Sequence, residues 1–144
     1  MKRSVRLISL VLVIAILVPV AAFAEEGAAP YASNYFAVTE TYIYRINGNT
    51  IGVWFYVMAK REMDQLGTSY IRIERSTDQE NWTSVAVYES RNHSQMMSPN
   101  EYSYGNHVPY IATPGYYYRA YVKFCAKEDN ATAYFNWYTD PFYV

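Results

Sequence analysis

The chain has 144 residues, 17 of them tyrosine and one of them cysteine, with 12 Lys and Arg against 13 Asp and Glu. One domain with a real core fits that length and a second does not, and one thiol excludes an intramolecular disulfide, so packing alone must hold the fold. The charge is near neutral overall and turns acidic past the first residues, which makes nucleic acid and anionic membrane surfaces poor partners.

The chain opens MKRSVR, with three basic residues, and continues through an apolar stretch, Leu7 to Phe23, into Ala22-Phe23-Ala24 and Glu25-Glu26. A basic start, an apolar middle and small residues at the end predict a signal peptide over 1–24, cleaved after Ala24. The stretch contains Pro19 and is at the short limit for a membrane span, so no membrane association is expected after cleavage. The remaining 120 residues carry nine Lys and Arg against 13 Asp and Glu, a formal −4. Export without disulfides fits a bacterial protein better than the disulfide-stapled domains of eukaryotic secretion. Residues 25–34, rich in small side chains, read as a flexible N-terminal segment, and 35–144 as the folded domain.

Short β-branched and aromatic runs then alternate with polar turns. "TYIYRINGNTIGVWFYVMA" sets Tyr42, Tyr44 and Ile46 against Ile51, Val53, Phe55 and Val57 around Asn47-Gly48, which predicts a hairpin, with Asn49 allowing a longer turn. The second strand is apolar on both faces and leaves its inward side open. "SYIRIERSTDQENWTSVAVYE" predicts another hairpin around a Ser76–Asn81 turn. "SRNHSQMMSPN" reads as a polar connection, and "YSYGNHVPY" as a short strand interrupted by Gly105 and Pro109 at an edge or bulge. "TPGYYYRAYVKFCA" supplies the next strand, Lys127 to Asn130 a turn, and "TAYFNWYT" the last strand, stopped by Pro141. About seven short strands with turns between them predict an all-β fold, a single antiparallel β-sandwich.

Two of these stretches carry a family resemblance. "YIRIERSTDQENWTSV" and "TPGYYYRAYV" are similar to the corresponding strands of fibronectin type III and immunoglobulin-like sandwich domains, of the kind found in small exported proteins of Gram-positive bacteria. The resemblance implies a tyrosine corner in which Pro114 and Gly115 make the turn and the Tyr118 hydroxyl bonds back to upstream backbone. Ala120 and Val122 would then point inward. The turn at Lys127–Asn130 holds no Arg-Gly-Asp, so integrin-type adhesion gains no support, and Ala112 stands where the family commonly has leucine. "STDQENW" also resembles the Asp-box turn of sialidases, without its glycine and one residue short, and such a turn is a structural device.

Catalytic motifs are not found. His93 and His107 fall in or beside predicted loops without a second close histidine, which a zinc site would need. Cys125 reads as a buried, inert thiol, and Glu62, Asp64, Glu128 and Asp129 as solvated charges in turns. No cofactor, no metal and no enzymatic activity are expected.

The tyrosines are what remain. Period-two alternation puts Tyr116, Tyr118, Ala120, Val122 and Phe124 on one face and Tyr117, Arg119, Tyr121, Lys123 and Cys125 on the other. In a sandwich the second face joins Tyr70, Arg72 and Glu74 on one neighbour and Tyr134, Asn136 and Tyr138 on the other. Tyr70, Arg72, Tyr117, Arg119, Tyr121, Lys123, Tyr134 and Tyr138 are therefore the candidate binding face, since tyrosine pairs a rigid apolar ring with a hydroxyl at low entropy cost. The same rings can equally serve the fold as cross-strand and cation–π pairs. The expectation is a secreted, non-enzymatic domain whose tyrosine face contacts a protein, a cell-surface polymer or glycan, or a copy of itself. A carbohydrate-binding module is the alternative within binding, and a small secreted hydrolase or toxin-like effector the alternative outside it.

Overall fold

A computed structural model describes residues 32–144. The expected signal peptide, 1–24, and residues 25–31 of the expected N-terminal segment lie outside the described residues. One helical turn, α1 (Ala32–Tyr35), leads into β1 (Phe36–Asn47), β2 (Thr50–Ser76), β3 (Thr83–Glu89), β4 (Met97–Ile111), β5 (Tyr117–Glu128), β6 (Ala131–Tyr138) and β7 (Phe142–Tyr143). All seven strands belong to one antiparallel sheet in the order β1-β2-β5-β6, with β3 and β4 also on β2 and β7 on β5.

The β1–β2 turn is two residues long, because Asn47 pairs with Thr50, and Gly48 takes φ +45° at its first central position. That is the glycine-first turn whose twist matches the flanking strands.

The strand β2 is the organising element. The sequence suggests two short strands separated by a linker; the chain instead runs extended for 27 residues and serves both halves of the molecule. Its first half pairs with β1 and β4, and its second half with β3 and β5. The ladder to β4 slips between Met58 and Met63, and the ladder to β5 slips between Thr68 and Tyr70. The slips bend the strand, and along the stretch they span the inward set changes parity twice, once after Met63 and again after Thr68. Ile51, Val53, Phe55, Val57 and Ala59 point into the core, then Leu66 and Thr68, then Ile71 and Ile73. Gly67 sits between the slips at φ +154°, where an added Cβ would lie 2.1 Å from the Met96 carbonyl oxygen. Only glycine fits there.

The bends curl the sheet so that its two halves share one core. Ile43, Phe55 and Val108 of the first half cluster with Ile71, Tyr118, Val122 and Phe124 of the second. Rings meet across the gap: Tyr110 of β4 lies 6.0 Å from Tyr118 of β5, and Phe36 of β1 lies 6.4 Å from Phe135 of β6. The expected pair of separate sheets is thus replaced by one continuous curled sheet, because β2 bends from one half into the other instead of ending in a loop.

Three further expectations change. "YSYGNHVPY" is part of a 15-residue strand whose Pro109 faces Gly52 on an edge, where the missing N–H costs no ladder bond. The "polar connection" contributes Met96, fully buried at the end of a short 3-10 turn (Ser94–Met96), and Met97 to Asn100 belong to β4. Glu62 and Asp64 lie within β2, and His107 lies inside β4 opposite Trp54, none of them in a loop. Asp64 Oδ2 accepts the Asp129 backbone N–H at 2.6 Å, so it ties down the β5–β6 turn.

Candidate binding face

The strand β5 is flanked by β2 and β6, and the registers decide which outward side chains meet. Tyr70 stands opposite Lys123, Arg72 opposite Tyr121, and Glu74 opposite Arg119. On the far side Tyr138 stands opposite Tyr121, Asn136 opposite Lys123, and Tyr134 opposite Cys125. Tyr70, Arg72, Tyr117, Arg119, Tyr121, Lys123, Tyr134 and Tyr138 therefore share the outer face of three adjacent strands.

A charged bridge fixes the centre of that face. Glu74, nearly buried, accepts Arg72 Nε on one carboxylate oxygen and Arg119 Nε on the other, both at 2.8 Å. Arg72 Nη2 donates to the Tyr138 hydroxyl at 3.0 Å. Burial opposes the charge on Arg72, but the Glu74 carboxylate and the Tyr138 oxygen more than offset it and raise its pKa.

The guanidinium and ammonium groups also lie over rings. Arg72 stacks 5.2 Å from Tyr121, and Arg119 lies 4.5 Å from Tyr138 and 4.3 Å from Trp82. Lys123 is 4.2 Å from Tyr134. Ring–ring contacts continue the series, Tyr121 with Tyr138 at 5.1 Å and with Tyr70 at 6.2 Å, and Tyr117 with Tyr143 at 4.9 Å. The result is a tiled surface in which every ring has a fixed neighbour, while Tyr134 and Tyr138 keep 41% and 42% of their area in solvent. Tyr70, Arg72, Tyr121, Lys123 and Tyr134 line an open depression with Ser69, about 310 Å³ in volume.

The opposite side of β5 is core. The Tyr118 hydroxyl accepts the Thr113 N–H at 2.8 Å and donates to the Thr113 carbonyl at 3.1 Å, with the ring fully buried. Gly115, at φ +87°, donates its N–H to the Val144 carbonyl at 2.7 Å, so the Pro114-Gly115 turn is tied to the C-terminal residue. Tyr116 packs on the edge of the core under the Arg75 guanidinium.

Cys125 has the parity of the outer face yet is 1% exposed, wedged between Gly67 and Tyr134 in the ladders. Burial pushes its thiol up to about 11 against the pull of Lys127 and Lys123. It stays protonated at neutral pH and has the environment of an unreactive thiol.

Three participants carried weaker sequence signals. Glu74 was visible as a face residue, but its role as a bridge depends on both arginines being in register. Trp82 reaches Arg119 from the Ser76–Asn81 turn. In that turn Ser76 Oγ accepts the N–H groups of Asp78 and Gln79, and Asp78 Oδ1 accepts those of Glu80 and Asn81. The Asn81 hydrogen bonds, followed by those from Ser76 and Glu80, hold the Asp78 carboxyl far below the usual carboxylate range. Tyr143 arrives through β7. The other half of the molecule also has an outer aromatic patch, where Tyr42 stacks on Trp54 at 6.3 Å and Tyr44 meets His107 edge-on at 6.0 Å.

No family model and no curated protein matches the chain. One solved structure is similar, titled "X-ray structure of Northeast Structural Genomics Consortium target SoR45". It is 9% identical over 78% of this chain and 86% of that one, with a TM-score of 0.40. A likeness that distant carries no residue across.

Among the described residues, no group of three or more His, Cys, Asp or Glu side chains is placed to hold a metal ion. No helix there is long and apolar enough to cross a membrane. His93 packs 5.1 Å from the Tyr88 ring.

Proposed function

We propose that this protein is a secreted, non-enzymatic binding domain, a curled variant of the fibronectin type III-like sandwich, whose outer tyrosine face contacts a partner protein or cell-surface polymer. The export signal read in residues 1–24 supports secretion. The Tyr118 hydroxyl bonded to the Thr113 backbone, beside Pro114-Gly115, supports the fibronectin-like relationship.

The observation that carries the binding reading is the fixed, half-exposed tiling of Tyr70, Tyr121, Tyr134 and Tyr138 around the Arg72–Glu74–Arg119 bridge. A partner docking there meets aromatic area whose rotamers are already restricted, so ordering costs little on binding. Three cations against one carboxylate leave the centre of the face positive on an otherwise acidic chain, which suits a partner bearing carboxylates or other anionic groups. The test is retention of purified protein on cell-surface material and partner extracts. Replacing Tyr117, Tyr121 and Tyr134 together by alanine should abolish retention while circular dichroism stays unchanged. Undiminished retention by a folded triple variant removes this face as the site.

A carbohydrate ligand is favoured by one feature. Tyr121, Asn136, Trp137 and Tyr138 line an open depression of about 480 Å³, combining rings that can stack on a sugar with an amide that can bond its hydroxyls. Trp137→Ala that loses glycan retention, with protein partners still bound, would select this reading.

A further inference from the structure

We infer that the free edge of β6 pairs antiparallel with β6 of a second copy, joining two curled sheets into one. The inference rests on backbone geometry and stands apart from the outer-face reading.

The β5–β6 ladder fixes which backbone groups look outward. Glu128 faces Ala131 across a two-residue turn, and the Thr139 N–H donates to the Ala120 carbonyl at 2.9 Å. Antiparallel ladders alternate between bonded and non-bonded pairs, so odd-numbered residues of β6 bond to β5. Tyr134, Asn136 and Tyr138 therefore turn their N–H and C=O groups away from it. Among the described residues no strand takes them up. Phe36 meets the Phe135 ring and α1 packs beside β6, but neither adds a strand to it.

The other edges are blunted in the ways that prevent strand addition. The strand β1 carries Glu40 and Arg45, β3 is short and ends in Glu89, and β4 contains Pro99, Pro109 and Asn100 at φ +53°. The strand β6 reads ATAYFNWY and has no charge, proline, glycine or bulge along its ladder. Its edge rings are wet, with Trp137 58% exposed.

A second copy is the occupant that fits this edge best. A two-fold axis at Asn136 sets Asn136 against its equivalent, Tyr134 against Tyr138, and Phe135 against Trp137. The three outward-facing pairs each exchange two backbone hydrogen bonds, and both faces gain aromatic cross-strand pairs. An uncharged strand meets its own copy without any like-charge contact, which most edges could not do. The axis also runs the two outer tyrosine faces together.

The experiment uses protein expressed from the full sequence and purified as the cell releases it, with mass measured by light scattering across a dilution series. The expected result is a dimer that dissociates on dilution. Asn136→Glu places two carboxylates face to face across the axis, while within one copy it stands opposite Lys123. It should weaken self-association by roughly tenfold or more and leave thermal unfolding unchanged at dilutions where both proteins are monomeric. Asn136→Cys should form a disulfide-linked dimer under mild oxidation, since equivalent Cα atoms in a bonded pair lie about 5.5 Å apart. Thr132→Cys should not, because its equivalent is displaced eight residues along the strand, ~26 Å. A monomer at every concentration overturns the proposal. So does a monomer whose Tyr134, Asn136 and Tyr138 amides resist hydrogen exchange, which would show this chain's own N-terminal segment on the edge. Equal cross-linking at Thr132 and Asn136 also overturns it.

Discussion

Tyr118 and Tyr121 lie three residues apart on β5, and the sheet gives them opposite surroundings. Tyr118 is sealed in the core with its hydroxyl bonded to one residue's N–H and C=O. Tyr121 lies on the outer face between Tyr70, Tyr138 and the Arg72 guanidinium. The ring is the same; what differs is whether its contacts exclude water. A tyrosine in the core contributes burial and a satisfied hydroxyl. On the outer face it contributes cross-strand ring contacts and a cation–π contact instead.

That contrast can be broken at several points. The largest effect should come from Tyr118→Ala, which empties a ring-sized site in the core and should cost about 3–5 kcal/mol in denaturant unfolding. Tyr118→Phe keeps the volume but leaves the Thr113 N–H without its acceptor, and should cost about 1–3 kcal/mol. An unfolding midpoint unchanged by both would mean the corner does not hold the turn.

Next comes the bridge under the outer face. Glu74→Gln removes the charge that joins Arg72 to Arg119 and should destabilise by about 1–3 kcal/mol. It should also loosen Tyr138, visible as increased ring mobility by NMR. If the outer face were a set of independent side chains, Tyr138 would not respond.

The individual outer rings should matter least to the fold. Tyr117→Ala and Tyr121→Ala should each cost about 0.2–1 kcal/mol, the size of a cross-strand pair. A loss as large as that of Tyr118→Ala would show that the two faces are equally structural and would leave the binding reading without its premise.

The subtlest probe is acid. The Asp78 carboxyl has its folded pKa depressed by the Asn81, Ser76 and Glu80 hydrogen bonds, so its stabilising contribution is present above the unfolded value of about 4. That contribution fades as pH falls below this value toward the folded pKa. Asp78→Asn should therefore flatten the acid limb of the stability curve and relax the turn that presents Trp82 to Arg119. An acid limb identical to that of the unmodified protein would exclude the turn as its source.

Much of this could be read along the chain. Period two places Tyr118, Ala120, Val122 and Phe124 on one face of β5 and Tyr117, Arg119 and Tyr121 on the other, because alternation is a local property of extended backbone. Asn47-Gly48, the Ser76–Asn81 turn and the corner at Pro114-Gly115 are likewise local, each set by the dihedrals or hydrogen bonds of a few adjacent residues. By contrast, β2 misleads. Its inward residues switch parity on either side of Gly67, so the alternation that identifies a strand vanishes in "EMDQLGTS" although the backbone stays extended.

The sequence by itself determined an all-β chain, the position of most turns, and which side of β5 would be apolar. Tertiary structure alone decided that β2 bends through both halves and makes one curled sheet, that Glu74 bridges two arginines, and that Trp82 and Tyr143 join the outer face. The reason is range. Alternation and turn chemistry act within a few residues, whereas register slips and cross-strand ion bridges depend on distant parts of the chain being set side by side, as Glu74 and Arg119 are, 45 residues apart.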